Sequence, residues 1–371
     1  MANKFELRKI NRSQIFSFLF RKEEASKQDI ALATGLSVPT VAKILEDLET
    51  KGVVDKGGSY ESTGGRKAQI IRCCYDAKYA IGVDITKHHL TMVIVNLKGE
   101  IIGGGKRELF LYFDTQEYYD AFAARLFDLL NQHQITQDKI LGVGISLPAI
   151  IDQERNLLTY SRILDAPEDM IHEFQRRFPF PVAFFNDANS AGYAETWLQD
   201  FGTVFYLMLS NSVGGAFIDK NKMYMGDNNR SAEVGHMRII PNGRKCYCGQ
   251  RGCVNAYCSS KILSDMAGGN LNQFFEEVKN GNSKFQEALD MYLRYLAITI
   301  VNLKMLLDCP IILGGYAGIH LAPYIKKLQK IVLEMDPYEN DGNFVRLCSY
   351  TKTAAAAGAA MYFLNSYIES L

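Results

Sequence analysis

Between His236 and Cys253 the chain gathers one imidazole and the thiols of Cys246, Cys248 and Cys253, with Gly235, Gly249 and Gly252 at the bends. Soft sulfur with one imidazole is a donor set for tetrahedral zinc rather than for magnesium or calcium. Four protein ligands leave no position open to water, so such an ion braces a loop and cleaves nothing. Cys258 stands beside this group, while Cys73, Cys74, Cys309 and Cys348 lie apart and are expected as buried thiols. A second chemical cluster is Phe185-Asn186-Asp187-Ala188-Asn189, which follows the apolar run Pro181–Phe185. A carboxamide and a carboxylate at a strand end make directional hydrogen bonds to ligand hydroxyls, but they are also residues that cap a helix.

Residues 1–72 carry thirteen Lys/Arg against nine Asp/Glu, a basic front on a slightly acidic body, although the whole chain is neutral. That front allows a polyanionic partner. Apolar residues recur at helical spacing through 8–22 (Ile15, Phe18, Leu19). A second helix runs from Ser26 to Thr34, with Ser26 as N-cap and Asp29 in the first turn, and Gly35 breaks it. A third starts at Ser37 with Pro39 in its first turn, turns Val41, Ile44, Leu45 and Leu48 to one side, and ends at Gly52. Val53-Val54 and Ala68–Ile71 then form a β pair around a Gly/Ser-rich loop. This order predicts a winged helix-turn-helix, with Ser37, Val38, Thr40 and Lys43 set for base edges and phosphates in the major groove. Arg66 and Lys67 follow Ser62-Thr63-Gly64-Gly65, a basic loop suited to a narrow minor groove and equally to an interdomain linker.

From residue 77 the pattern becomes α/β. Strands are expected at Ala80–Ile85, Leu90–Leu97 and Glu100–Arg107, then at 140–146, 181–185, 203–209, 214–218 and 311–313. Helices are expected near 116–133, 167–178, 283–307 and 354–368. Three hairpin-linked strands followed by alternating helices and strands predict a mixed sheet of a two-lobed nucleotide-handling fold, with a second half on a similar plan. At 371 residues, 47% hydrophobic and 22% charged, the chain can bury large cores and reads as roughly two to three soluble units. No run reaches the about 20 apolar residues of a membrane span, and the polar N-terminus lacks a leader's apolar core, so the expected setting is the cytoplasm.

With Glu233-Val-Gly-His236, Cys246-x-Cys248-Gly-x-x-Gly-Cys253, Phe185–Asn189 and Leu313-Gly314-Gly315 in view, the chain resembles the ROK family of sugar kinases and repressors. The N-terminal helices and Thr63-Gly64-Gly65-Arg66 resemble its repressor branch. The resemblance implies an actin- and hexokinase-like two-lobed α/β domain over 76–371 behind a winged helix-turn-helix over 1–75. Within the larger domain, 76–188 with 353–371 would form one lobe and 189–352 the other. It implies that Asn186, Asp187, Glu233 and His236 face a sugar between the lobes, with His236, Cys246, Cys248 and Cys253 around a structural Zn2+. Asn255 stands where the family carries a sugar-binding Glu, and Pro148-Ala149 where it often has Pro-Gly. Asp187 occupies the catalytic-base position.

The phosphate turn departs from the family's Asp-x-Gly-Gly-Thr: here it reads Asp84-Ile85-Thr86-Lys87-His88. A β-branched Thr86 suits neither a positive φ nor close approach to a phosphate, so ATP use is expected to be lost and Asp187 to be a vestige. The expected protein is a sugar-responsive regulator rather than an enzyme, a homodimer or dimer of dimers on a pseudo-palindromic operator. The alternative is an ATP-dependent sugar kinase with an appended DNA-binding domain. Arg66→Ala should weaken operator binding in a fluorescence anisotropy titration; unchanged affinity would remove the minor-groove role.

Overall fold

The computed structural model describes residues 4–59, 68–110, 115–152, 157–161, 170–199, 201–220 and 222–371, with Arg155, Ile163, Leu164 and Ala166. The Ser62–Gly65 loop, Arg66 and Lys67 lie outside the described residues.

The N-terminal unit is built from α1 (Lys4–Lys22), β1 (Glu24–Ser26), α2 (Lys27–Thr34), α3 (Val38–Thr50), β2 (Val54–Ser59) and β3 (Gln69–Cys73). Ser26 starts α2 through a reciprocal capping box: its hydroxyl accepts from Asp29 N at 3.1 Å, and Asp29 Oδ2 accepts from Ser26 N at 3.0 Å. Gly35 closes the helix in the left-handed region at φ 69°, which lets Ser37, two residues later, cap the start of α3. Val41, Ile44, Leu45 and Leu48 of α3 are buried against Ile15, Phe16 and Leu19 of α1. The expected wing pair β2–β3 is present, and β1 adds a third strand on the far side of β3. Three residues are too few for a period-2 pattern, so only the pairing with β3 marks β1 as a strand.

The body starts with β4 (Tyr79–Ile85), β5 (His89–Asn96) and β6 (Ile101–Leu109), an antiparallel meander. There follow α4 (Gln116–Gln132), β7 (Ile140–Leu147), the hairpin β8 (Ile150–Asp152) and β9 (Leu157–Tyr160), α5 (Met170–Gln175), β10 (Val182–Asn186) and α6 (Asp187–Leu198). The second sheet begins with β11 (Thr203–Leu209), β12 (Val213–Asp219) and β13 (Lys222–Met223). After it come α7 (Asn255–Cys258), α8 (Ser260–Ser264), α9 (Leu271–Lys279), α10 (Ser283–Leu307), β14 (Ile311–Gly314), α11 (Gly315–Gly318), α12 (Ile325–Met335), β15 (Val345–Leu347) and α13 (Ala354–Ser370).

The two sheets repeat one plan. In β10-β7-β4-β5-β6 the central β4 has antiparallel partners on one side and parallel ones on the other. The order β15-β14-β11-β12-β13 does the same around β11. Parallel strands point the same way, so β4, β7 and β10 end together, as do β11 and β14, and the loops after them converge.

Helices α6 and α13 pack on each other, α13 against β4, β5 and β7 of the first sheet and α6 mainly against β11 and β12 of the second. The close approach depends on missing side chains: a Cβ on Gly358 of α13 would lie 1.7 Å from Ser190 O in α6, and one on Gly82 of β4 1.8 Å from Ala356 O. Their far ends meet the N-terminal unit. Trp197 of α6 meets Phe20 of α1 edge-on, with centroids 6.3 Å apart, and Arg12 of α1 donates to Ser370 O at 3.4 Å and pairs with Asp47 of α3 at 2.8 Å. Ile15, Leu19, Val93, Ala194, Ala360 and Leu364 belong to one continuous apolar core, so the unit is fused to the body rather than tethered.

In an exposed helix Gly→Ala gains about 1 kcal/mol. At Gly358 the clash should outweigh that, and Gly358→Ala is expected to lose about 1–3 kcal/mol in urea denaturation. A neutral or stabilising effect would show that the two helices have room to separate.

Candidate functional site

The converging strand ends enclose a cleft with two connected chambers. One, of about 350 Å³, is lined by Asn186, Asp187, Arg230, Glu233, His236 and Tyr247 among others. The other, of about 150 Å³, is lined by Asp84, Thr86–His89, Arg107, Asp187 and the start of α13. Pro148, Ile163, Asp187 and Ser212 border both, so Asp187 stands at the junction.

Asn186 and Asp187 combine the two readings open to them in the sequence. Asn186 caps α6, its Oδ1 accepting from Asn189 N at 3.0 Å, while its Nδ2 donates to Ala149 O at 3.1 Å. The side chain is thereby locked into the chamber wall with one N–H and one lone pair left over. Asp187 Oδ1 accepts from Ala188 N at 2.9 Å. Burial, the neighbouring Asp84 carboxylate and, more weakly, Glu233 push Asp187 up to about 7. Burial pushes Asp84 up to about 6, opposed by the Ser146 hydroxyl at 3.3 Å and by Arg107. Burial of its carboxyl likewise raises Glu233.

Asn255 is not on the chamber wall. It is 4% exposed, and its Oδ1 accepts from Val213 N at 2.6 Å, pinning the start of β12 from behind. The shorter carboxamide reaches the neighbouring backbone instead of the cleft. Sequence reading also left out Tyr160, Arg230 and Tyr247, which border the larger chamber. Of these only Tyr247, set between two expected metal ligands, carried a local signal.

On the phosphate side, Thr86 ties the β4–β5 turn to itself. Its N–H donates to His89 O at 2.9 Å, and its hydroxyl accepts from His89 N at 3.1 Å. Those two amides are spent within the turn and cannot cradle a phosphate, and no residue from 84 to 89 has a positive φ.

His236, Cys246, Cys248 and Cys253 do converge: their ligand atoms all lie within 4.8 Å of one another. Cys248 Sγ and Cys253 Sγ are 3.8 Å apart, and Cys246 Sγ lies 4.0 Å from His236 Nδ1. Thiolates at about 2.3 Å from a tetrahedral ion stand about 3.8 Å from each other, the spacing that Cys248 and Cys253 have, so the group fits a metal once its wider separations close slightly. The other ring nitrogen, His236 Nε2, faces the Tyr247 hydroxyl at 3.3 Å, a contact that orients the imidazole. Among the remaining cysteines Cys258 and Cys309 are buried, whereas Cys73, Cys74 and Cys348 are only half-buried, because they sit at the joint and edge of the fold rather than in its cores.

On the N-terminal unit, Ser37, Val38 and Lys43 are exposed and Thr40 is half-exposed on α3, away from its buried side. The Ser37 hydroxyl accepts from Thr40 N at 3.3 Å and lies 2.9 Å from Thr40 Oγ1, so both are partly committed to capping. Lys27 of α2 borders the same groove as Lys43, an additional cation that the sequence pattern did not single out. Among the described residues no helix is long and apolar enough to cross a membrane.

A duplicated α/β body with a cleft at its strand ends, a Cys3His group beside that cleft and a fused winged helix define a two-lobed, hexokinase-like protein with a DNA-binding type of N-terminal unit. The chain belongs to the ROK family, whose model matches residues 80–366, and a winged helix-turn-helix DNA-binding model matches residues 8–55. It is 23% identical to the xylose repressor of Bacillus subtilis (strain 168) over 386 residues, covering 100% of this chain and 99% of that one. It is 21% identical over 314 residues to the DNA-binding transcriptional dual regulator NagC of Escherichia coli (strain K12), covering 79% and 77%. Among solved structures, a ROK family transcriptional regulator homologous to the E. coli MLC protein superposes with TM-score 0.78 at 16% identity over 98% of both chains. A ROK glucokinase from Streptomyces griseus with glucose and AMPPNP gives 0.64 at 22% identity, over 76% of this chain and 98% of that one. At such identities the likenesses establish the fold.

Stripping metal from the full chain with a chelator should lower its Tm, and Cys253→Ser should lower both metal content, by plasma mass spectrometry, and Tm. Cys258→Ser, whose thiol is buried 3.9 Å from Thr299 Oγ1, should keep its metal. Equal metal content in C253S and the parent would place the ion elsewhere.

Proposed function

We propose that this protein is a sugar-responsive DNA-binding transcriptional regulator, a repressor of carbohydrate uptake or catabolism genes, and not a sugar kinase. The observation that carries the reading is the fusion of a winged helix-turn-helix to a sugar-kinase-like cleft whose phosphate turn is closed on itself. The xylose repressor and NagC support it; the sugars with which such relatives are named differ, so they speak for a class of ligand rather than for one sugar.

In this reading residues 1–75 bind DNA and 76–371 sense the sugar, with 76–188 plus 353–371 and 189–352 as its lobes. Ser37, Val38, Thr40 and Lys43 enter the major groove, and Arg66 with Lys67 holds the minor groove. Asn186, Asp187 and Glu233 hydrogen-bond the sugar hydroxyls. Asn255 supports that wall from behind by holding Val213. His236, Cys246, Cys248 and Cys253 hold a structural Zn2+, which fixes the loop that forms one side of the chamber. The protein works in the cytoplasm as a homodimer or dimer of dimers, its reading heads spaced for half-sites about 34 Å apart. Sugar binding changes lobe closure, and α6 and α13 carry the change from the cleft to α1.

Asp187 favours the rival kinase reading, since a carboxylate pushed up to about 7 suits a general base near neutral pH. Incubation with Mg-ATP and a hexose panel distinguishes the two. ADP release is expected to stay at background; turnover of about 1–100 s⁻¹ would establish the kinase. Binding to upstream DNA should fall steeply with salt and shift about 5–150-fold when the effector sugar is added. Salt-independent or absent DNA binding would leave the N-terminal unit as a protein-docking module.

A further inference from the structure

The smaller chamber has lost the backbone geometry of a nucleotide cradle, yet it has not become apolar. Lys87, His88, His89, Arg107 and Lys352 all border a space of only about 150 Å³. Among the described residues none of Lys87, Arg107 and Lys352 has a carboxylate within 4 Å, although ion pairs occur elsewhere on the surface. Arg107 is held in place without being neutralised: it lies over the Tyr316 ring at 4.5 Å and meets His89 Nδ1 at 3.1 Å. Burial and the adjacent Arg107 keep His89 below its ordinary value, so it orients the guanidinium as a neutral acceptor.

Two further features face the same space. Ala354 and Ala355, the first turn of the 17-residue α13, line it, and Thr353 supplies no capping side chain. The first-turn amides and the helix dipole therefore direct positive potential into the chamber. Tyr206 also lines it: only 1% exposed, its hydroxyl has no hydrogen-bond partner of acceptable geometry. A buried orphan hydroxyl costs about 1–3 kcal/mol unless something accepts from it. Asp84 and Asp187 are the opposing charges; burial raises them to about 6 and about 7, which reduces their negative charge near neutral pH without removing it.

We propose that the effector is a phosphorylated sugar, its ring in the Asn186/Asp187/Glu233 chamber and its phosphoryl group in the chamber formed by Lys87, Arg107, Lys352 and the start of α13. The inference rests on the sugar-sensing reading and adds the ligand's charge to it. Asp187 and Ser212, common to both chambers, sit where ring and phosphoryl group join. The chamber binds this anion through side-chain cations and one helix end, so it holds a phosphomonoester without aligning a triphosphate for transfer. A phosphoryl group there would also lie against α13, the helix that reaches α1.

Calorimetric titration of the full chain at constant ionic strength tests this, with three sugars (xylose, glucose, N-acetylglucosamine), the 6-phosphates of the latter two, ATP and inorganic phosphate as probes. A 6-phosphate should bind at least about tenfold more tightly than its neutral sugar. R107Q/K352Q, and independently Lys87→Gln, should reduce that ratio towards one while leaving neutral-sugar affinity unchanged. Equal affinities, a ratio that survives both variants, or ATP binding more tightly than either 6-phosphate would overturn the proposal while leaving sugar sensing intact. Inorganic phosphate binding that depends on Arg107 and Lys352, with no sugar bound, would uphold the anion chamber and overturn the sugar-sensing reading. Silence from every probe would overturn both.

Discussion

The contact between Gly358 and the carbonyl of Ser190 governs the architecture. Because no side chain intervenes, α6 and α13 lie close enough to behave as one rigid pair, with small residues filling the seam and β4 packed beneath. Both helices begin at the cleft, one at Asp187 and the other at Ala354, and both end against α1. At about 1.5 Å per residue, α13 spans about 25 Å from ligand chamber to DNA-binding unit. Close-packed interiors resist continuous deformation, so such a pair is the path along which the proposed coupling would run.

The cleft inherits its polarity from the same arrangement. Parallel strands deliver Asp84, Asn186 and Asp187 to one rim, and helix starts bring positive potential beside them. Burial and the neighbouring Asp84 leave Asp187 poised between charge states, whereas Thr86 consumes amides that a phosphate cradle would need. Phosphoryl transfer depends on positioning and electrostatic stabilisation of the transferring group as well as on a base.

Much of this was legible in the residues. The capping box at Ser26, the left-handed Gly35 and the buried stripe of α3 follow from local rules, and α10 occupies residues 283–307 as its periodicity indicated. The Cys3His group was readable because its ligands are close in sequence as well as in space. What escaped was non-local. Strand β1 exists only because β3 pairs with it, and Asn255 turned to Val213 because a carboxamide one methylene shorter than its expected counterpart finds a nearer backbone partner. Arg107, Tyr206 and Lys352 come from three distant stretches, and no spacing rule brings them together.

The walls of the larger chamber come largely from loops and short elements: Tyr160 ends a hairpin strand, Arg230 lies in a loop, and Tyr247 rides on the cysteine loop. None of the three belongs to the α6–α13 seam, where a single methyl group is too much. Substitutions that reshape the chamber wall can therefore accumulate while the α6–α13 seam stays untouched. Such a division of labour would let one scaffold be retuned from one carbohydrate to another without relearning how to speak to its operator.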